Sequence, residues 1–232
     1  MMNEHTVRAF DKELEALGRR IAEMGGIAEK MVSDATDALA HLDGDLARSV
    51  VSADPRLDSI QRDVEELAIL TIARRQPLAV DLREIVGAIR VAGDLERVGD
   101  LAKNISKRAI KIGAEPHIAR ATIGLRHMQE LCNEQLKDVL DAYASRDVEK
   151  ARNVWERDAE LDALDDSVFR DLLTFMMEDP RNISFCTHLL FCAKNFERIG
   201  DHATNIAETV YYIVTGQTMP LERPRPASAL GA

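Results

Sequence analysis

Apolar residues recur at alternating steps of four and three along the first forty positions: Phe10, Leu14, Leu17, Ile21, Met24, Ala28, Met31, Ala35, Ala38 and Leu42. That rhythm is the seam of an α-helix packed at a shallow angle on its neighbours. Gly25-Gly26 interrupts its composition but not its register. Asp43-Gly44-Asp45 supplies a turn and a cap for a second helix, predicted from about Asp45 to Arg75. Pro55 lies inside that stretch, where proline removes a backbone hydrogen bond and crowds the preceding turn. A kink or restart is expected there, with Asp54 as N-cap and Pro55 in the first helical position.

The same reading predicts a third helix from about Asp81 to Lys111 and a fourth from about His117 to Ala144. In the fourth, Leu125, Met128, Cys132, Leu136, Val139 and Tyr143 point inward. A fifth helix runs to about Met177, and a sixth, capped by Asn182 or Ser184, runs to about Thr215. Pro77, Pro116 and Pro180 fall at the breaks, and Gly113-Ala114-Glu115-Pro116 is the boundary between halves. From Gly216 the chain loses its apolar period and holds three of the seven prolines, as a disordered tail does. The fold class is all-α: two tandem antiparallel three-helix bundles over residues 6–113 and 117–215, with a tail over 216–232.

The halves are tied by a repeat. Glu96-Arg97-Val98-Gly99-Asp100-Leu101-Ala102-Lys103-Asn104 returns as Glu197-Arg198-Ile199-Gly200-Asp201-His202-Ala203-Thr204-Asn205, at an offset of 197 − 96 = 101 with six of nine positions identical. Glu, Asp and Asn stand four apart in each copy, so on a helix they form one stripe with a rise of roughly 6 Å between neighbours. Asp54 and Asp58 precede the first stripe, and Asp158 and Asp162 precede the second, again four apart and opposite apolar residues. The repeating unit is therefore a pair of helices, each carrying a stripe of oxygens.

Composition narrows what those oxygens could serve. The 232 residues are 46% hydrophobic but only 4% aromatic, which favours a helical bundle built from Leu, Ile, Val, Met and Ala. The net charge of −10 argues against non-specific nucleic-acid binding and makes cations the natural small partners. Three cysteines with no Cys-x-x-Cys spacing read as core residues in a reducing compartment. The N-terminal residues lack a secretory pattern, and no run approaches the roughly 18 apolar residues of a membrane span, so a cytoplasmic protein is expected.

Carboxylate and amide oxygens suit magnesium, manganese, calcium or iron, and no Cys or repeated His supports a structural zinc site. No His has Glu three residues before it, which argues against a ferritin-like di-iron oxidase. No nucleophile elbow, phosphate loop or dinucleotide-binding glycine pattern is present. Two plainer accounts stand beside the cation reading. The stripes could be solvated faces, with Arg97 and Arg198 easing their charge. Alternatively, Gly99 and Gly200 mark helix packing, since a mid-helix glycine costs about 1 kcal/mol relative to alanine. His202 faces a leucine in the repeat and reads as incidental, and Trp155 and Phe169 read as packing residues.

The doubled Glu-Arg-x-Gly-Asp-x-Ala-x-Asn motif, each copy preceded by an Asp-x-x-x-Asp pair, closely resembles the PhoU family of phosphate-transport regulators. RRQPLAVDLREIVGAIRVAGDLERVGDLAKNI and NFERIGDHATNIAETVYYIVTG also look like that family. The resemblance covers nearly the whole chain except the tail. It implies a pair of three-helix bundles, often a homodimer, with iron, zinc, magnesium or manganese at the acidic motifs. Carried over residue by residue, the first metal site is Asp54, Asp58, Glu96, Asp100 and Asn104. The second is Asp158, Asp162, Glu197, Asp201 and Asn205. The resemblance further implies a cytoplasmic protein, peripheral at the inner membrane through its partners. Those partners are the ATPase component of the phosphate ABC transporter and a phosphate-sensing histidine kinase, and the role is to keep the phosphate-starvation response off. The alternatives are a metal-storing or metal-buffering bundle and a metal-free scaffold.

Overall fold

The structure is a computed structural model and describes residues 4–113 and 119–220. Among the described residues six α-helices carry the fold: α1 (Glu4–His41), α2 (Gly44–Arg75), α3 (Ala79–Ile112), α4 (Ile123–Ser145), α5 (Val148–Glu178) and α6 (Ile183–Thr215). Short 3₁₀ turns over Ala119–Thr122 and Pro180–Asn182 lead into α4 and α6. No strand occurs among the described residues. The expected break at residues 114–117 and the end of the tail, 221–232, lie outside them.

The two halves start their second helix in the same way. Asp43 Oδ1 accepts from the amides of Asp45 and Leu46 at 3.0 and 2.9 Å. Asp147, 104 positions on (147 − 43), does the same for Glu149 and Lys150 at 3.0 Å each. Each cap satisfies donors that the first turn of a helix leaves open. At the entry to α6 the cap differs from expectation. Neither Asn182 nor Ser184 caps the helix with its side chain; Asp179 accepts from the Arg181 amide at 3.0 Å and holds the turn before it.

Pro55 neither ends nor restarts α2, and Asp54 is not an N-cap. The pyrrolidine ring is exposed, so the carbonyl it leaves unbonded faces the solvent side of the helix. The opposite face buries Leu57, Ile60, Val64 and Ala68. Their burial, at about 1.5–3 kcal/mol for each large side chain, outweighs one missing bond that water can replace.

Helices α1, α2 and α3 pack on one another, as do α4, α5 and α6, and the two bundles meet where α3 lies on α6 and α1 on α4. One apolar core runs through both. The α1 seam is buried from Leu17 to Ala38, with Phe10, Leu14 and Leu42 partly buried at its ends. Gly25 lies in the α1–α4 contact, where a Cβ would sit 2.6 Å from Leu140 Cδ1. All three cysteines are buried and free, and burial raises the Cys192 thiol to about 12. Phe169, expected to pack, is 53% exposed. After α6 the chain turns at Gly216 and buries Met219 against the core, so the packed chain continues past the expected start of the tail.

The motif glycines set the closest helix contact in each half. A Cβ on Gly99 would lie 2.3 Å from Leu57 Cδ2, and one on Gly200 would lie 2.4 Å from Leu161 Cδ2. Both leucines are 1% exposed and stand between the two aspartates of their own helix, so they have no room to retreat. Gly99→Ala is predicted to destabilise the protein by about 1–2 kcal/mol despite its gain in helix propensity. Gly26→Ala, whose Cβ meets nothing within 4 Å, is predicted to stabilise it by about 0.5–1 kcal/mol. Urea unfolding of the two variants beside the parent checks both signs.

Candidate metal centres on the paired helices

Leu57 seated on Gly99 brings Asp54 and Asp58 of α2 against Glu96 and Asp100 of α3. Leu161 on Gly200 brings Asp158 and Asp162 of α5 against Glu197 and Asp201 of α6. Eight of the ten residues predicted from sequence thus form two carboxylate clusters. Neither cluster is a freely solvated face: Asp54 and Asp158 are 8% and 4% exposed.

In the first cluster, burial raises the Glu96 pKa above the ordinary carboxylate range, and Asp100, Asp58 and Asp54 push the same way against Arg97. In the second, burial raises Asp201, with Glu197, Asp158 and Asp162 adding to it against Lys194. Asp165, not predicted from sequence, belongs to this cluster; burial raises it too, and Glu197, Asp166 and Asp162 contribute. Carboxylates that repel through a partly dehydrated space favour a proton or another cation among them.

The clusters meet that demand differently. Lys103, also unpredicted, reaches into the first, its Nζ 2.6 Å from Asp54 Oδ2 and 2.5 Å from Asp100 Oδ1. Burial opposes its charge, but the bonds to Asp100 and Asp54 outweigh that and hold the ammonium above its ordinary value. In the second copy the corresponding residue is Thr204, whose hydroxyl donates to Asp158 Oδ1 at 3.1 Å. Lys194 pairs with Glu197 Oε1 at 2.6 Å from the rim, while Glu197 Oε2 is buried with no hydrogen-bond partner among the described residues. Among the described residues, no three carboxylate, imidazole or thiol groups already stand as a formed metal-ligand set.

The two asparagines of the ladder lie elsewhere. Asn205 donates to Asp94 Oδ1 at 3.3 Å across the α3–α6 contact, and Asn104 lines a groove between the same helices. His202 is not incidental: its Nδ1 lies 2.9 Å from the same Asp94 oxygen, tying the halves together.

Fold and site together define a class: a duplicated three-helix protein whose inner helices each carry a carboxylate cluster completed by the neighbouring helix. The family model for the PhoU domain matches the chain twice, over residues 21–109 and 125–210, and the chain belongs to the PhoU family. A protein from Rhizobium meliloti, 57% identical over 234 residues covering 100% of this chain and 99% of its own, is named phosphate-specific transport system accessory protein PhoU homolog. One of the same name from Caulobacter vibrioides is 49% identical over 97% of both chains. The crystal structure of PhoU from Pseudomonas aeruginosa superposes with a TM-score of 0.84 at 38% identity, over 90% of this chain and 100% of that one. The phosphate transport system regulatory protein PhoU from Streptococcus pneumoniae also gives 0.84, at 26% identity, over 91% and 100%.

Two predictions follow the charge arrangement. Lys103→Met strands the buried Asp54 and is predicted to cost about 1–3 kcal/mol of stability, much of it recovered by adding Asp54→Asn, in urea unfolding at neutral pH. For Asp201 the folded pKa lies above the unfolded one. The folded state therefore keeps this proton longer, and stability falls as pH rises from about 3.9 through the folded value. Asp201→Asn should raise the urea midpoint at pH 7 and give no gain at about pH 3.5, below both values.

Proposed function

We propose that the chain is a non-enzymatic regulatory adaptor of inorganic-phosphate uptake that keeps the phosphate-starvation response off when phosphate is plentiful. It acts in the cytoplasm, held at the inner membrane through the ATPase component of the phosphate ABC transporter and a phosphate-sensing histidine kinase. Family membership and the names of its relatives support the transport-system role. Among the described residues no helix is long and apolar enough to cross a membrane. For homodimer formation, which the family resemblance implies, exposed Phe169, Leu173 and Met177 on one side of α5 offer a surface.

The second carboxylate cluster is the metal site of this reading. The observation that carries it is Glu197 Oε2, a buried carboxylate oxygen without a partner, beside Asp158, Asp162, Asp165 and Asp201. A donor set of carboxylate oxygens fits iron, manganese or magnesium better than zinc. A bound ion would supply the positive charge that offsets the repulsion between α5 and α6. Glu197, Asp201, Asp158, Asp162 and Asp165 would hold it. The first cluster already holds the Lys103 ammonium and needs no metal.

In a strain lacking the gene, phosphate-starvation reporters are predicted to be active in high phosphate. The parent chain restores repression, and the Asp162→Ala/Glu197→Ala/Asp201→Ala variant does not. Normal repression in the deleted strain would count against the adaptor. Elemental analysis of protein purified without chelator is predicted to find metal that falls in the variant. A metal-sensitivity phenotype independent of phosphate would favour a metal-storing or buffering bundle instead.

A further inference from the structure

The α3–α6 contact leaves a groove of about 380 Å³ beyond the second carboxylate cluster, lined by Lys107, Arg108 and Lys111 of α3 and Lys194 and Arg198 of α6. Among the described residues no carboxylate lines it, although the chain as a whole carries a net charge of −10. Lys107, Lys111 and Arg198 form no ion pair among the described residues. Lys107 and Lys111 are four apart on one helix, and Lys194 and Arg198 are four apart on the other. Like charges at that spacing destabilise a helix. Arg108 is held in place rather than free: its guanidinium stacks 3.9 Å from the centre of the Phe191 ring, and Nη1 donates to His188 Nδ1 at 3.2 Å. Asn104 and Asn195 add amide donors to the same walls.

The internal repeat supplies a control within the molecule. The offset of 101 carries Lys107 to Glu208, Lys111 to Tyr212, Lys194 back to Gly93 and Asn195 back to Asp94. Those positions line a matching groove at the other end of α3 and α6, where Asp94, Glu96 and Glu208 face Arg90 and Arg97. The basic end is therefore not a by-product of the helix pairing. One copy is mixed in charge, and the other gathers five cations, of which Lys194 alone is paired with a carboxylate, Glu197, that stands outside the lining.

We propose that this basic groove binds an oligophosphate, an anion with two or more adjacent phosphate groups. On each wall the outermost cations stand four residues apart, roughly 6 Å of helix, which offers two adjacent phosphates donors from both sides. Lysine point charges and a fixed arginine fork are the donors that phosphate oxygens take. The volume lies at the small end of ligand pockets, suited to a compact anion and too small for a helix of another protein.

Lys194 joins the groove to the second carboxylate cluster, because its ammonium holds Glu197 Oε1 at 2.6 Å. An anion that draws Lys194 into the groove frees that oxygen for a cation, so each ligand strengthens the other's binding. This coupling rests on the metal reading of the cluster; the anion site does not.

Calorimetric titration with tripolyphosphate in metal-free buffer tests the site. Parent protein is expected to bind, and Lys107→Gln/Lys111→Gln to lose at least about tenfold in affinity. Lys12→Gln/Arg170→Gln, which removes equal charge from other helices, should change it less than about twofold. Equal loss in the two variants, with thermal melts matching the parent, would overturn the proposal, as would no binding by the parent at millimolar tripolyphosphate. ATP binding no tighter than tripolyphosphate supports recognition of the phosphate chain alone, and adenosine binding as tightly as ATP contradicts it. Repeating the titration with manganese separates the coupling. Tighter binding by the parent but not by Glu197→Gln supports it. An unchanged affinity in the parent overturns the coupling and leaves the anion site standing.

Discussion

The contact on which the rest depends is a leucine laid on a glycine, made twice. Leu57 fills the space over Gly99, and Leu161 the space over Gly200, so that α2 lies against α3 and α5 against α6 at a distance no larger residue would allow. Each leucine lies between two aspartates, and each glycine is flanked by the Glu and Asp of its motif. Close packing therefore forces carboxylates from two helices together at the edge of the core. Apolar burial provides the free energy for this; the charges oppose it. A helix pair held this way concentrates negative charge at its edge, and the duplication does so at two places.

The halves answer the same electrostatic problem with different chemistry. In the first, the Lys103 ammonium bridges Asp54 and Asp100 from within the chain. In the second, the residue at that point is Thr204, which can donate one hydrogen bond to Asp158 but carries no charge. Lys194 approaches from the outer side and reaches only one oxygen of Glu197, leaving the other buried without a partner. The same divergence continues along α3 and α6, where the charged residues lining one of two related grooves are all cations and those lining the other are mixed. Duplication kept the frame and varied the side chains inside it.

Most of the fold was legible from apolar spacing, because six long helices with Leu, Ile, Val, Met and Ala seams leave little ambiguity of period. Pro55 misled because its cost is local, whereas the helix is held by buried residues on its other face. Aspartates four apart read correctly as one face, and the glycines of the motif read correctly as a packing signal. The clusters were incompletely legible because a spacing of four drifts. Two such steps rotate Asn104 roughly 80° from Glu96, enough to turn it out of the cluster and into the α3–α6 groove. Seven residues return to within roughly 20° of the start, which is where Lys103 and Thr204 stand relative to Glu96 and Glu197. Asp165 lies seven after Asp158 and is found by the same count. His202 could not be read this way, because its partner Asp94 lies 108 residues away on the other bundle.

The central claim is that Lys103 closes one cluster to metal and Thr204 leaves the other open. Metal stoichiometry by native mass spectrometry, after saturation with manganese and removal of excess, tests it on exchanged residues. The account predicts one ion per chain in the parent, two in Lys103→Thr and none in Thr204→Lys. Two ions in the parent, or a parent and a Thr204→Lys variant that bind alike, would contradict it.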